Sequence, residues 1–135
     1  MRVNQGGKGM IWKEAPAGQR VFVYYNLRSH LWSVKALTGP NKGLVIAHCT
    51  DLALSLVTPR VSEAGRQRVL RDKQKNVHAG LVGHWEALEG PYVHTSSITY
   101  NPYRSATFTY KSDGAAYGGS ARAWLIGRDV RVGEI

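Results

Sequence analysis

Two sets of side chains in this chain are of types that do chemistry. The first is cationic. Arg66, Arg68, Arg71, Lys73 and Lys75, with Arg60 just ahead of them, set six positive charges against Glu63 and Asp72. Such a cluster meets a phosphate backbone by displacing condensed counterions, so its binding weakens steeply with salt. Tyr24, Tyr100, Tyr103 and Tyr110 are aromatic faces on which bases can stack once exposed. The plainer alternative is a solvated helix face.

The second set is histidine. On an unbulged strand, His78, His84 and Glu86 share one face, with His48 and His94 elsewhere. Two histidines and a carboxylate are a metal set by type. The span from His78 to His84, however, is about 20 Å of extended chain, too far for one ion unless the intervening glycines fold it. His78 with Lys75 and Tyr100 is instead a possible acid, base and electrostatic stabiliser for a metal-independent ribonuclease, His78 lying nearest the basic cluster. Neither spacing is specific, and structural or surface histidines remain the plainer alternative. No phosphate loop, dinucleotide fingerprint, nucleophile elbow or zinc-finger spacing occurs, so no metal and no cofactor is assigned. Cys49 is the only cysteine, which excludes an internal disulfide and reads as a small hydrophobe at a strand end in a reducing compartment. Tyr100-Asn101-Pro102-Tyr103 reads as a turn, with tyrosines that either brace it by packing or touch a ligand.

The elements that must position these groups are short strands around one helix. Val21, Val23, Tyr25 and Leu27 alternate with Phe22, Tyr24 and Asn26, predicting a strand over 21–27. A loop at Arg28-Ser29-His30 leads to a strand over 31–37, and the Thr38–Gly43 turn leads to a third over 44–49. Asp51–Val61 reads as a strand from about Ala53, with Pro59 at a sheet edge or a strand end. Ser62 is a good N-cap and Glu63 suits the positive end of the helix dipole. The helix then runs to Asn76, with Lys73 and Lys75 in its last turn. Its apolar stripe, Val69 and Leu70 on the side of Arg66 and Lys73, is thin. Arg68, Arg71 and Lys75 lie opposite, so the helix reads as a surface element whose core lies in the neighbouring strands. Val77–Leu88 returns to strand, where Gly80 and Gly83 suggest a bulge or a close backbone approach. Hairpins over 96–100 and 106–111, and over 121–126 and 130–132, complete the chain.

Length and composition bound the class. At 135 residues the chain is one domain, 1–135, with residues 1–18 read as a mobile basic arm anchored from Ile11 or Trp12. Eighteen Lys and Arg against nine Asp and Glu give a net charge of +9, which points to an anionic partner beyond what solubility needs. No signal-like segment or apolar run of membrane-spanning length is present, so a cytoplasmic protein without a membrane role is expected. The fold class expected is α+β: a mainly antiparallel twisted sheet or partly closed barrel with one short basic helix.

Val61–Gly83, VSEAGRQRVLRDKQKNVHAGLVG, and Ile98–Phe108, ITYNPYRSATF, resemble a family of small accessory proteins encoded by tailed bacteriophages and prophages. VFVYYNLRSHLWSVKALTGPNKGLVIAH resembles the N-terminal half of that family, and Lys111–Ser120, rich in small residues, departs from its pattern. The resemblance carries over no catalytic residues. It implies a phage accessory protein acting in the host bacterial cytoplasm during infection, or carried in a virion. The leading expectation is binding of RNA or DNA, or of a host nucleoprotein complex, as an anti-defence or host-interaction protein, through Arg60, Arg66, Arg68, Arg71, Lys73 and Lys75. The alternatives are the small ribonuclease using His78, Lys75 and Tyr100, and an inhibitor that binds an acidic host protein.

Overall fold

The computed structural model describes residues 10–11, 18–90 and 94–133. The chain order is β1 (Met10–Ile11), β2 (Arg20–Asn26), β3 (Leu31–Ala36), β4 (Val45–Cys49), β5 (Asp51–Val61), α1 (Glu63–Asp72), β6 (Ala79–Glu86), β7 (Ser96–Thr99), β8 (Thr109–Tyr110), β9 (Ser120–Ile126) and β10 (Asp129–Gly133). All strands join one sheet in the order β1-β4-β3-β2-β6-β5-β9-β10-β7-β8, and every pairing is antiparallel. The architecture is the α+β class expected, mostly sheet with one short helix. Most of the expected basic arm lies outside the described residues, but Met10 and Ile11 pair with His48 and Ala47.

The sheet cannot be flat, and one residue shows why. Thr50 alone separates β4 from β5, although β3, β2 and β6 lie between them in the sheet. Four strand spacings in a flat sheet measure roughly 19 Å. One intervening residue spans at most about 7 Å. The sheet therefore coils until β4 and β5 run end to end. Bonds far apart in sequence fix the coil: Trp32 Nε1 on β3 donates to the carbonyl of Gly127 in the β9–β10 turn at 2.7 Å, and Gly127 N donates to Asp51 Oδ1 at 3.1 Å. Among the described residues no ladder joins the two edge strands, so the coil is not a closed barrel.

The inside of this coil is the core. Val21 and Val23 of β2, Val34 of β3, Ile46 of β4, Leu52 and Leu54 of β5, Leu81 and Trp85 of β6 and Leu125 of β9 are fully or almost fully buried there. Period-two alternation accounts for β2, and a bulge breaks it in β5. Pairing with β6 shifts between Ser55 and Thr58, Leu56 takes a φ of 50°, and its side chain turns to solvent while Val57 turns in. Past Val57 the strand keeps only β6 as a partner, and Pro59 lies in that stretch, where a missing N–H costs least. Cys49 is buried, as a small hydrophobe should be.

Candidate nucleic-acid interface

Helix α1 owes its start to Ser62, whose Oγ accepts from Gly65 N at 3.2 Å while its own N–H donates to His78 O at 2.7 Å. Glu63 in the first turn accepts from Gln67 Nε2 at 2.7 Å and from Arg66 at 3.0 Å. Those bonds, the one from Gln67 foremost, hold its carboxyl below the usual range. The helix stops at Asp72, a turn earlier than the sequence suggested. Lys73 adopts the left-handed conformation at φ 57° and its N–H closes on Val69 O, so Lys73 is the C-cap and Lys75 lies beyond the helix. Only Gly65 and Val69 of the helix are buried, which fits a surface element.

Gly65 sets how close the helix comes to β6. A Cβ at that position would lie 2.5 Å from His78 Cβ. Glycine is an unfavourable helix residue, yet only glycine lets the helix backbone rest on the His78 side chain. The contact continues as a directional chain of hydrogen bonds. Asn76 Nδ2 donates to Gly65 O at 3.1 Å, which leaves Asn76 Oδ1 to accept from His78 Nδ1 at 2.9 Å. With the Nδ1 proton so placed, Nε2 is left to accept, and Tyr100 Oη lies there at 2.7 Å. Tyr100 packs in turn on Phe108, with ring centroids 5.2 Å apart, and burial pushes its phenol pKa up. The chain folds His78 and Tyr100 together, as the ribonuclease reading requires. Lys75 is exposed and bonds to neither.

The six cations divide into two groups. Arg66 is turned inward, its side chain only 17% exposed: Nε donates to Pro102 O at 2.9 Å and the guanidinium pairs with Glu63. Arg71 pairs with Asp72 at 2.9 Å and lowers that carboxyl. The other four are exposed, as Arg71 is, but have no ion pair among the described residues. Arg60 lies over the Phe22 ring at 5.8 Å, and Lys73 over the exposed Tyr103 ring at 5.5 Å. Arg68 and Lys75 are exposed and, among the described residues, have no ion pair or side-chain hydrogen bond.

Nothing in the local sequence pattern pairs Phe22 with Arg60. Strands β2 and β5 both flank β6, which brings Phe22 and Arg60 to opposite sides of Gly80. Gly80 pairs with Arg60, and a Cβ on it would lie 2.7 Å from the Phe22 ring, so the ring covers the glycine. Tyr24 follows on the same face of β2, with its ring 5.9 Å from that of Phe22. The alternation in β2 set these two aromatics outward, but only the strand order could supply the arginine. Cation–π pairs of this kind contribute on the order of 0.5–1 kcal/mol at exposed sites.

The remaining candidates go elsewhere. His84 Nδ1 donates to Gly18 O at 2.8 Å and Glu86 accepts from Ser55 at 2.8 Å, so neither joins His78. His48 meets Ser33 Oγ at 2.9 Å, and burial lowers its pKa. Among the described residues no group of three or more His, Cys, Asp or Glu side chains is placed to hold a metal ion.

Most of the chain has a recognisable relative. Residues 14–133 match the family model described as the Mycobacterium phage L5 gene 82 protein. That phage's gene 82 protein is 39% identical over 123 residues, which cover 87% of this chain and 98% of the relative. The matched span includes Lys111–Ser120, so the segment rich in small residues lies within the family match. No solved structure is similar enough to match.

Proposed function

The chain belongs to the family of the Mycobacterium phage L5 gene 82 protein, and on that premise we propose that it is a phage accessory protein that binds RNA or DNA, or a host nucleoprotein complex. The observation that carries the reading is the pairing of cation and aromatic ring at both ends of α1, Arg60 over Phe22 and Lys73 over Tyr103, with unpaired Arg68 and Lys75 between and beyond them. Flat rings offer stacking surfaces and unpaired cations take phosphates, which is how single strands are held without sequence readout. The contact set narrows to Arg60, Arg68, Lys73 and Lys75, because Arg66 and Arg71 already have partners. In this role the protein works in the cytoplasm of the infected bacterium, against a host or defence machine. No described helix is long and apolar enough to cross a membrane.

The test is retention of labelled single-stranded RNA and DNA at low salt. Charge reversal in Arg68→Glu/Lys75→Glu is expected to abolish it with an unchanged thermal midpoint; unaltered retention sinks the proposal. The ribonuclease is a second reading, favoured by the 2.7 Å contact between His78 and Tyr100. Against it, both His78 nitrogens are already engaged within the protein, so a substrate would have to displace Tyr100. Cleavage of labelled RNA in chelator that disappears in His78→Ala would establish the enzyme.

A further inference from the structure

We propose a second anion site, built to take a terminal phosphate, in the cleft between the Asn101–Ser105 loop and the β7–β8 hairpin. It deepens the nucleic-acid reading and rests on it only for the source of the phosphate. The cleft has a volume of about 400 Å³ and is lined by Thr99, Asn101, Arg104, Ser105, Thr109, Tyr110, Lys111 and Gly114. That is within the size range of small-ligand pockets, enough for a phosphate and an attached sugar.

The lining carries two cations, Arg104 and Lys111, and no carboxylate. Asp113, next to Gly114, turns its carboxylate to Ala115 N at 2.9 Å. Lys111 has only a long contact of 3.9 Å to Asp129, which lies outside the cleft, and Arg104 is exposed with no side-chain partner among the described residues.

The loop's own bonds then fix the polarity of the neutral groups. Asn101 Oδ1 accepts from Tyr103 N at 2.9 Å, which leaves the Asn101 amide protons to donate. Ser105 Oγ accepts from Thr107 N at 3.2 Å, which leaves its hydroxyl proton to donate. The acceptor sides are used within the loop and the donor sides remain. Two cations, an amide and a hydroxyl, with the hydroxyls of Thr99 and Thr109 beside them, suit a doubly charged phosphate with several oxygens to satisfy. The same loop carries Tyr103 under Lys73 and the Pro102 carbonyl that receives Arg66, so it joins this cleft to the helix face. A strand lying along α1 can deliver its end there.

The phosphate can come from a strand end or from solution, and the experiment separates them. Affinity is compared for an oligonucleotide with a 5′- or 3′-phosphate, the same oligonucleotide with hydroxyl ends, and inorganic phosphate alone, by calorimetry. A preference of roughly tenfold for a phosphorylated end, lost in Arg104→Gln and in Lys111→Gln, assigns the cleft to strand ends. Saturable inorganic phosphate binding lost in the same variants, without an end preference, assigns it to free phosphate. Equal binding of all ends with no phosphate binding overturns the proposal, as does phosphate binding that both variants retain. Lys111 is exposed, so its variant keeps the test valid should Arg104→Gln fold poorly. Loss of all oligonucleotide binding in Arg68→Glu/Lys75→Glu, beside wild-type binding that ignores the end group, separates failure of this site from failure of the helix face.

Discussion

His78 Nε2 and Tyr100 Oη lie 2.7 Å apart, and this bond ties the loop before β6 to the end of β7. Together with Asn76 it passes a single direction of donation from Tyr100 to the carbonyl of Gly65. Tyr100→Phe removes one link and keeps the ring on Phe108. It is expected to cost about 0.5–1.5 kcal/mol in denaturant unfolding. Nitrogen chemical shifts are expected to report the Nδ1–H tautomer of His78 in the native protein; an Nε2–H tautomer contradicts the assigned direction.

Gly65→Ala sets helix propensity against packing. In an exposed helix interior the change gains about 1 kcal/mol. Here the added Cβ meets His78 Cβ at 2.5 Å, and overpacking costs about 1–3 kcal/mol. A lower unfolding free energy is expected. His78→Ala does not relieve the loss, because the obstacle is the Cβ that alanine keeps. A more stable Gly65→Ala protein disproves the close approach.

The salt dependence of nucleic-acid binding distinguishes free cations from paired ones. Replacing Arg68 and Lys75 by Gln is expected to shallow the slope of log affinity against log salt by roughly 0.7–0.9 per residue. Arg66→Gln is expected to leave the slope unchanged and lower stability instead, since its guanidinium bonds Glu63 and the carbonyl of Pro102. A steep loss of slope on replacing Arg66 reverses that division.

Cys49 gives an alkaline prediction. Burial, helped by the charge of Asp51, pushes its thiol up from 9.0 to about 12. A pKa raised on folding gives stability that is complete below the unfolded value and is lost as pH rises towards the folded one. Unfolding free energy is thus expected to fall between about pH 9 and 12 by up to roughly 1.4 kcal/mol per unit, and Cys49→Ala should flatten that limb. At pH 8 the native thiol should resist an alkylating reagent that labels the unfolded chain; rapid native labelling contradicts its burial.

Much of the fold was legible locally. The alternation of Val21 and Val23 against Phe22 and Tyr24 set the inner and outer faces of β2, and Ser62 marked the helix start. The thin stripe around Val69 correctly made α1 a surface element. The bulge at Leu56 was not legible, because the apolar alternation continues through it and only the pairing with β6 requires an extra residue. The early helix stop was hidden as well: lysine has no left-handed preference, so nothing marked Lys73 as a cap.

The sequence by itself determined the class of the protein, its charge, its family resemblance and the segment where its cations cluster. Those properties follow from composition and from neighbours a few residues apart. Tertiary structure decided which of the cations are free. Arg66 and Arg68 are indistinguishable as letters, but Arg66 faces the Pro102 carbonyl while Arg68 faces water. Arg60 gained Phe22, thirty-eight residues away, only because β6 lies between their strands. Partnership of a long charged side chain depends on which backbone the coiled sheet brings beside it, and strand order is not encoded in any local pattern.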